Sequence, residues 1–467
     1  MDQGRARDLI YPIVEHAAGV AAERLSGSLV EITKRFILDT LAVMIAGKRS
    51  PGCAEIVRYA RNWQGKPDAT LVTGDRAPAP YAALANSMMA HAVEFDDTYE
   101  PADVHAYAVV LPAVLAAAEL DPERVVAGPE IIAAAAVGVD IAYRLGAAIR
   151  NYRGWHPTAT CGIFGATLAA GRIAGCDRAR LHHAMGIAYS LAAGNFQSVV
   201  DGSLTKRLQP GFAARGAVEA VLLARAGITG ARDILEGRFG YFPLYEAGEY
   251  DAAALTEGLG VSFLGERASM KPYPCCRFCH ASIDAALAIA AESDFPSLEA
   301  AMRSIAAIEI ELPAETYDYV GRPFALGDNP QVAAQFSVAY TVASALLRRR
   351  VGLEQFSLAA VSDPDVLALA ARVSVVPRHD LGRYGANTVR VRLTAKRSFE
   401  RRVGVMKGEP GLPLTALEHR DKIASCIAFG GLPAAAAADL AAWAEALDRA
   451  PAPLQRLHAI FRAGATS

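Results

Sequence analysis

SLVEITKRFILDTLAVMIAG, residues 28–47, is the stretch from which the fold is read. Val30, Ile37, Leu38, Leu41 and Val43–Met44 fall on one broad stripe at helical spacing, and Gly47 supplies a helix stop. The same spacing recurs at 80–96, 104–120, 128–150, 161–174 and 211–227. Strand signals come later. AAIEIEL (306–312) and TVRVRLTA (388–395) alternate, and ARVSVVP (371–377) is β-branched. Between them PQVAAQFSVAYTVASALLRR (330–349) returns to helical spacing, and helices resume after the Gly/Pro loop GEPGLPLT (408–415). The expected fold is mainly α. A large helical domain takes residues 1–268 and 406–467, and a smaller α+β insertion takes 269–405.

A chain of 467 residues exceeds one ordinary core, which agrees with two domains. With 52% hydrophobic and 21% charged residues it reads as a soluble globular enzyme. The net charge is -2 and no basic block is present, which argues against a nucleic-acid partner. The start, MDQGRARDLIYPIVEHAAG, lacks the apolar stretch of a signal peptide. The most apolar segment, 131–149, contains Asp140 and Arg144 and falls short of a membrane span. A cytoplasmic protein with its seven cysteines reduced is the expectation.

HAVEFDDTYEPADVH (91–105) places five carboxylates between two histidines. Part of it reads DDxxE, the pattern with which helical terpenoid synthases hold magnesium on a diphosphate. A helix through 80–98 would put His91, Glu94 and Thr98 on one face and Asp96 and Glu100 on another. A diphosphate site also needs a second metal half-site, and NFQSVVDGS (195–203) does not provide it. At 7% aromatic residues the chain is also poor in rings that stabilise carbocations. A solvated helix end is the plain alternative.

CCRFCH (275–280) matches the C-x-x-C-H haem attachment pattern, but that attachment belongs to exported proteins. An iron–sulfur cluster would need a further spaced ligand. Buried thiols beside a functional His280 is the preferred reading. RGWHPTAT (153–160) puts His156 before a proline at a helix start, where exposed N–H groups attract anions. GSLTKRLQPGFAARGA (202–217) offers Lys206, Arg207 and Arg215 around a loop, and TYDYVGRPF (316–324) offers Tyr317, Tyr319 and Arg322 in a turn. Taken singly each is more often structural. Together with His105 and His280 they form a cationic, hydrogen-bonding set suited to a small molecule with several carboxylates.

These stretches together resemble the MmgE/PrpD family, which includes 2-methylcitrate dehydratases, cis-aconitate decarboxylases and iminodisuccinate epimerases. The matching pieces are HAVEFDDT (91–98) with His105, GWHPTATCGIFGATLAAGRIAG (154–175), the run from Leu204 to Phe242, KPYPCCRFCHASIDAAL (271–287) and YVGRPF (319–324). The resemblance implies a helical domain built from both chain ends, a smaller α+β lid, a homodimer, and no metal or organic cofactor. It implies catalytic roles for His105, His156, Lys206 and His280, and substrate contacts from Glu94, Thr98 and Tyr319, with Arg322 beside the last. Glu94 stands where relatives commonly have Asp, and Gln209 and Phe212 also depart from many relatives, which leaves the substrate open.

Dehydration, decarboxylation and epimerisation in such a family share a carbanion or enediolate next to a carboxylate. Held cations stabilise that charge, and a histidine moves the proton near neutral pH. The expected activity is a cofactor-independent lyase on a small di- or tricarboxylate, with dehydration ahead of decarboxylation and epimerisation as the close alternative. An inactive binding or assembly subunit is the alternative from another class.

Overall fold

The structure, a computed structural model, describes residues 7–293, 297–395 and 397–463. Helices hold 57% of the residues, so the fold is mainly α. Helix Gly27–Gly47 begins where the Ser26 side chain accepts from the Leu29 N–H, which satisfies one of the donors orphaned at a helix start. It is buried on more than its apolar stripe: Thr33, Asp39 and Thr40 are inside as well, because helices Ala79–His91 and Ala416–Phe429 pack on it. A Cβ on Gly47 would lie 1.9 Å from the Met89 carbonyl oxygen, so this crossing requires glycine. Ala79–His91 in turn packs on Thr205–Arg225, and Tyr107–Ala118, Gly128–Ala147 and Gly162–Ile173 complete the alanine-rich stack.

Two hydrophobic cores result. The first draws on Ile10 to Met270, on Leu353 and on Leu414 to Phe461; the second draws on residues from Cys275 to Phe399. The second contains a four-stranded sheet in the order Val373–Arg378, Ile305–Pro313, Asn387–Leu393, Ser398–Val403. The first pair is parallel and the others are antiparallel. In its second strand Ile308, Ile310 and Leu312 are buried, while Glu309 and Glu311 take Arg390 at 2.7 and 2.8 Å across the sheet. Helix His280–Ser293 packs on two of these strands and on helix Val338–Arg348.

Several local expectations change. The helix expected through 80–98 ends at His91, and Asp97–Thr98 pairs antiparallel with Ser269–Met270. The physical reason is Glu94, whose φ of 53° lies in the left-handed region and stops helical propagation. His91, Glu94 and Thr98 therefore do not share a helical face. Lys206 and Arg207 lie in the first turn of Thr205–Arg225 rather than in a loop, with Pro210 accommodated inside. The helical run expected at 330–349 breaks into Pro330–Gln335 and Val338–Arg348, because Ser337 caps the second piece. Strand Ser398–Val403 was missed, since its SFERRV carries only a weak apolar alternation. Among the described residues no helix is long and apolar enough to cross a membrane.

Candidate active site

A cleft at the junction of the two cores is lined by Glu94, Thr98, His105, His156 and Lys206 from the first core's segments, and by Cys276, Arg277, Phe278, Phe336, Arg383 and Tyr384 from the second's. The pairing of Asp97–Thr98 with Ser269–Met270 places it, because it lays the acidic run beside Lys271. Lys271 Nζ donates to the Glu94 backbone carbonyl at 3.1 Å and to Glu94 Oε2 at 3.4 Å. Lys206 Nζ donates to the other carboxylate oxygen, Oε1. One buried carboxylate thus bridges two buried ammonium groups. Burial alone would raise the Glu94 pKa, but Lys206 and then Lys271 outweigh it and hold the carboxyl well below the usual range.

The two histidines in the cleft have fixed tautomers. His105 Nδ1 lies 2.5 Å from the Asp97 carbonyl oxygen, which only accepts, so Nδ1 carries the proton. His105 is further anchored by its backbone N–H, which donates to Thr158 Oγ1 at 3.1 Å. His156 Nδ1 lies 3.2 Å from Gln209 Oε1. That oxygen also accepts from the Asn195 N–H at 2.8 Å, while Gln209 Nε2 donates to Asn195 O and Ser198 Oγ, so the amide orientation is set by its network. Each ring keeps its Nε2 lone pair. Burial, then the Lys271 charge, lowers His105 to about 3, and burial, then Lys206, lowers His156 well below its usual value. Both are neutral imidazoles near pH 7.

The acidic run is built into the protein rather than solvated. Asp96 Oδ2 pairs with His91 Nδ1 at 2.6 Å, and its other oxygen faces Lys271 at 3.6 Å. Asp97 accepts from the Tyr143 hydroxyl at 2.5 Å, and burial followed by the Asp96 charge pushes its carboxyl up to about 7. Glu100 accepts from Arg277 Nε at 2.8 Å and from Ser269 Oγ at 2.9 Å. These carboxylates thus have protein donors or cations as partners. Among the described residues no group of three or more His, Cys, Asp or Glu has the geometry to hold a metal ion. Cys275, Cys276 and Cys279 are free and buried, and burial raises the Cys276 and Cys279 thiols.

Of the eight residues singled out from sequence, Glu94, Thr98, His105, His156 and Lys206 line the cleft. Tyr319 stands at its edge, with its ring 5.7 Å from Phe196 and 5.9 Å from Phe278. His280 is not among the lining residues. Its Nε2 donates to the Cys275 carbonyl at 3.2 Å and its Nδ1 accepts from Arg277 Nη1 at 3.1 Å, so both nitrogens are engaged and the residue orients Arg277. Arg322 is exposed and pairs with Asp318 at 3.2 Å. Lys271, Arg277, Asp103, Arg383 and Tyr384 were missed. KPYP and CCRFCH drew attention to prolines and thiols, and the loop HDLGRYGA (379–386) carries no motif. The cleft is also less cationic than expected, since Lys206 and Lys271 face Glu94 and Asp96, Arg277 faces Glu100, and Arg383 faces Asp103.

Residues 12–252 match the MmgE/PrpD N-terminal domain and residues 273–448 match the MmgE/PrpD C-terminal domain. The chain belongs to the MmgE/PrpD family. It is 30% identical over 366 residues to a cis-aconitate decarboxylase of Aspergillus terreus, which covers 74% of this chain and 73% of that one. Similar matches join it to the cis-aconitate decarboxylases of Mus musculus, 27% identical over 366 residues (76% and 73%), and Homo sapiens, 26% identical over 367 residues (76% and 74%). These relatives are lyases, and they support a lyase activity of this family for the chain.

Proposed function

We propose that the chain is a cofactor-independent lyase that moves a proton at the carbon next to a carboxylate of a small di- or tricarboxylic acid. The observation that carries this reading is the meeting, in one cleft, of two neutral imidazoles with fixed tautomers and a Lys206–Glu94–Lys271 cluster. Lys206, Arg277 and Thr98 hold substrate carboxylates, and preorganised cations of this kind stabilise the enediolate that develops. The Nε2 of His105 or His156 is placed to give or take a proton beside Lys206. A neutral imidazole is the form that accepts one, and a bound carboxylate beside His105 raises its basicity from the value in the free cleft.

Among the branches of this chemistry, decarboxylation of a cis-aconitate-like acid now leads, because the relatives above carry that name. In that reaction the C–C bonding pair stays on carbon as CO₂ leaves, and the carbanion takes a proton. Dehydration is the second reading, favoured by an ammonium group, Lys206, beside two neutral bases. The test is a panel of cis-aconitate, citrate, 2-methylcitrate and amino-linked dicarboxylates followed by ¹H NMR. Turnover of one of them, reduced at least about tenfold by Lys206→Ala, is expected from the loss of a charge-assisted contact. No turnover of any acid would favour the binding-subunit reading instead.

A further inference from the structure

Two of the three N–H bonds of the Lys206 ammonium group are taken up inside the protein. One goes to Glu94 Oε1, and one goes to His91 Nε2 at 2.6 Å. Behind it, His91 Nδ1 meets Asp96 Oδ2, also at 2.6 Å. Because the carboxylate only accepts, Nδ1 carries the imidazole proton and Nε2 presents a lone pair to Lys206. His91 and Asp96 are completely buried and do not line the cleft. Any buried imidazole needs partners for its ring nitrogens; on His91 both partners are ionisable side chains in line, a carboxylate and an ammonium group.

We propose that Asp96 and His91 form a proton relay behind Lys206, which makes Lys206 a proton carrier as well as a cation at the substrate carboxylate. His91 is then a positioning residue, since it acts through Lys206. This inference rests on the reading that the cleft moves a proton next to a carboxylate. At rest the Lys206 ammonium group donates to the His91 Nε2 lone pair. Transfer of one proton from Nζ to Nε2 breaks one N–H bond and forms another. It leaves a neutral amine and an imidazolium held by the Asp96 carboxylate, with the charge of the pair unchanged. The amine lone pair then takes the proton from the substrate carbon, and the C–H electron pair moves into the enediolate. The pair has gained one positive charge and the substrate one negative charge, so charge balances. Returning the proton to carbon, or to a hydroxyl that leaves as water with its C–O pair, restores the amine, and the reverse transfer restores the resting state.

The surroundings fit such a carrier. Burial lowers the Lys206 pKa against the pull of Glu94. The charged and titratable groups facing the pair come from four separate segments: Glu94 and Asp96, Lys271, His105 and His156.

The experiment is the pH dependence of kcat and kcat/KM with 2-methylcitrate as probe, whose dehydration requires removal of a C–H proton, for the unaltered enzyme, His91→Gln and Asp96→Asn. His91→Gln is expected to lower kcat at least about tenfold with KM changed less than about threefold. Its acid limb should move up by about one pH unit or more, because Lys206 must then shed its proton without an acceptor. Asp96→Asn should move the limb down, because the imidazolium loses its carboxylate. Opposite shifts are the signature, and a merely structural role would raise KM or lower Tm without them. Unmoved limbs or unchanged rates would overturn the relay. ¹⁵N-histidine NMR supplies a second readout that needs no substrate and no folded His91 variant beyond its use for assignment. The His91 ring should show a protonated Nδ1, and its Nε2 shift should change in Lys206→Met. An unprotonated Nδ1, or an identical spectrum in Lys206→Met, overturns the relay whether or not 2-methylcitrate is turned over. Failure to turn it over overturns only the substrate reading.

Discussion

Asp103 accepts a hydrogen bond from Arg383 Nε at 2.8 Å, and that contact ties the end of the acidic run to a loop of the second core across the cleft. The Tyr384 hydroxyl donates to the same carboxylate. The Arg383 guanidinium lies 5.0 Å from the Phe278 ring centroid and 5.3 Å from that of Tyr152, so it is held by stacking as well as by charge. Asp103 has a φ of 52°, a conformation that Asp tolerates better than most residues.

Arg383→Ala should therefore loosen the cleft without unfolding the chain. A charge-assisted hydrogen bond is worth about 1.5–3 kcal/mol, so kcat/KM should fall at least about tenfold, mainly through KM. Hydrogen exchange of residues 379–386 should speed up. Unchanged exchange together with unchanged KM would show that this contact does not hold the two cores together.

Glu94 carries the largest structural burden in the cleft. Removing its carboxylate leaves Lys206 and Lys271, both buried, without their shared partner. Glu94→Ala should cost about 3–5 kcal/mol in urea unfolding, the range for breaking a buried ion pair from one side. Glu94→Gln, which keeps the hydrogen-bonding shape, should cost less. Equal and small losses in both variants would mean that the lysines find other partners or water.

The helical fold was legible because amphipathic spacing and glycine stops act locally, as in Gly27–Gly47. The cleft was legible in part, for a different reason. His105, His156 and Lys206 stand in polar stretches within apolar surroundings, and the family resemblance marked them. Lys271, Arg277 and Arg383 were not legible, because their roles depend on a two-residue strand pairing and on a loop that only tertiary packing brings to the cleft. The helix expected through 80–98 failed at Glu94, where a non-glycine residue takes a left-handed turn that no propensity announces. His280 reaches the cleft only through Arg277.

The pH dependence of stability follows from the neutral histidines. His105 is lowered to about 3 in the folded protein against an ordinary value of 6.5, so the unfolded chain binds more protons between those values. Its contribution to stability is present above pH 6.5 and is lost as pH falls towards 3. Asp97, raised to about 7, works in the opposite sense between 3.8 and 7, so the comparison has to be made within one background. The fall in Tm from pH 7 to pH 5 should be shallower in His105→Gln than in the unaltered protein. Parallel curves would show that His105 is protonated in the fold.

Solvent deuterium incorporation tests the central claim, proton transfer next to a carboxylate, most directly. In D₂O, turnover of the acid identified by the panel should place deuterium on one carbon. A decarboxylation labels the carbon that loses CO₂, a dehydratase labels the carbon adjacent to a carboxylate when run towards hydration, and an epimerase labels its product in either direction. His105→Gln and Lys206→Ala should each depress incorporation, since glutamine cannot take up a proton near neutral pH and alanine offers no proton at all. Complete turnover with no deuterium on any carbon, or incorporation at the unaltered rate in both variants, would contradict the account.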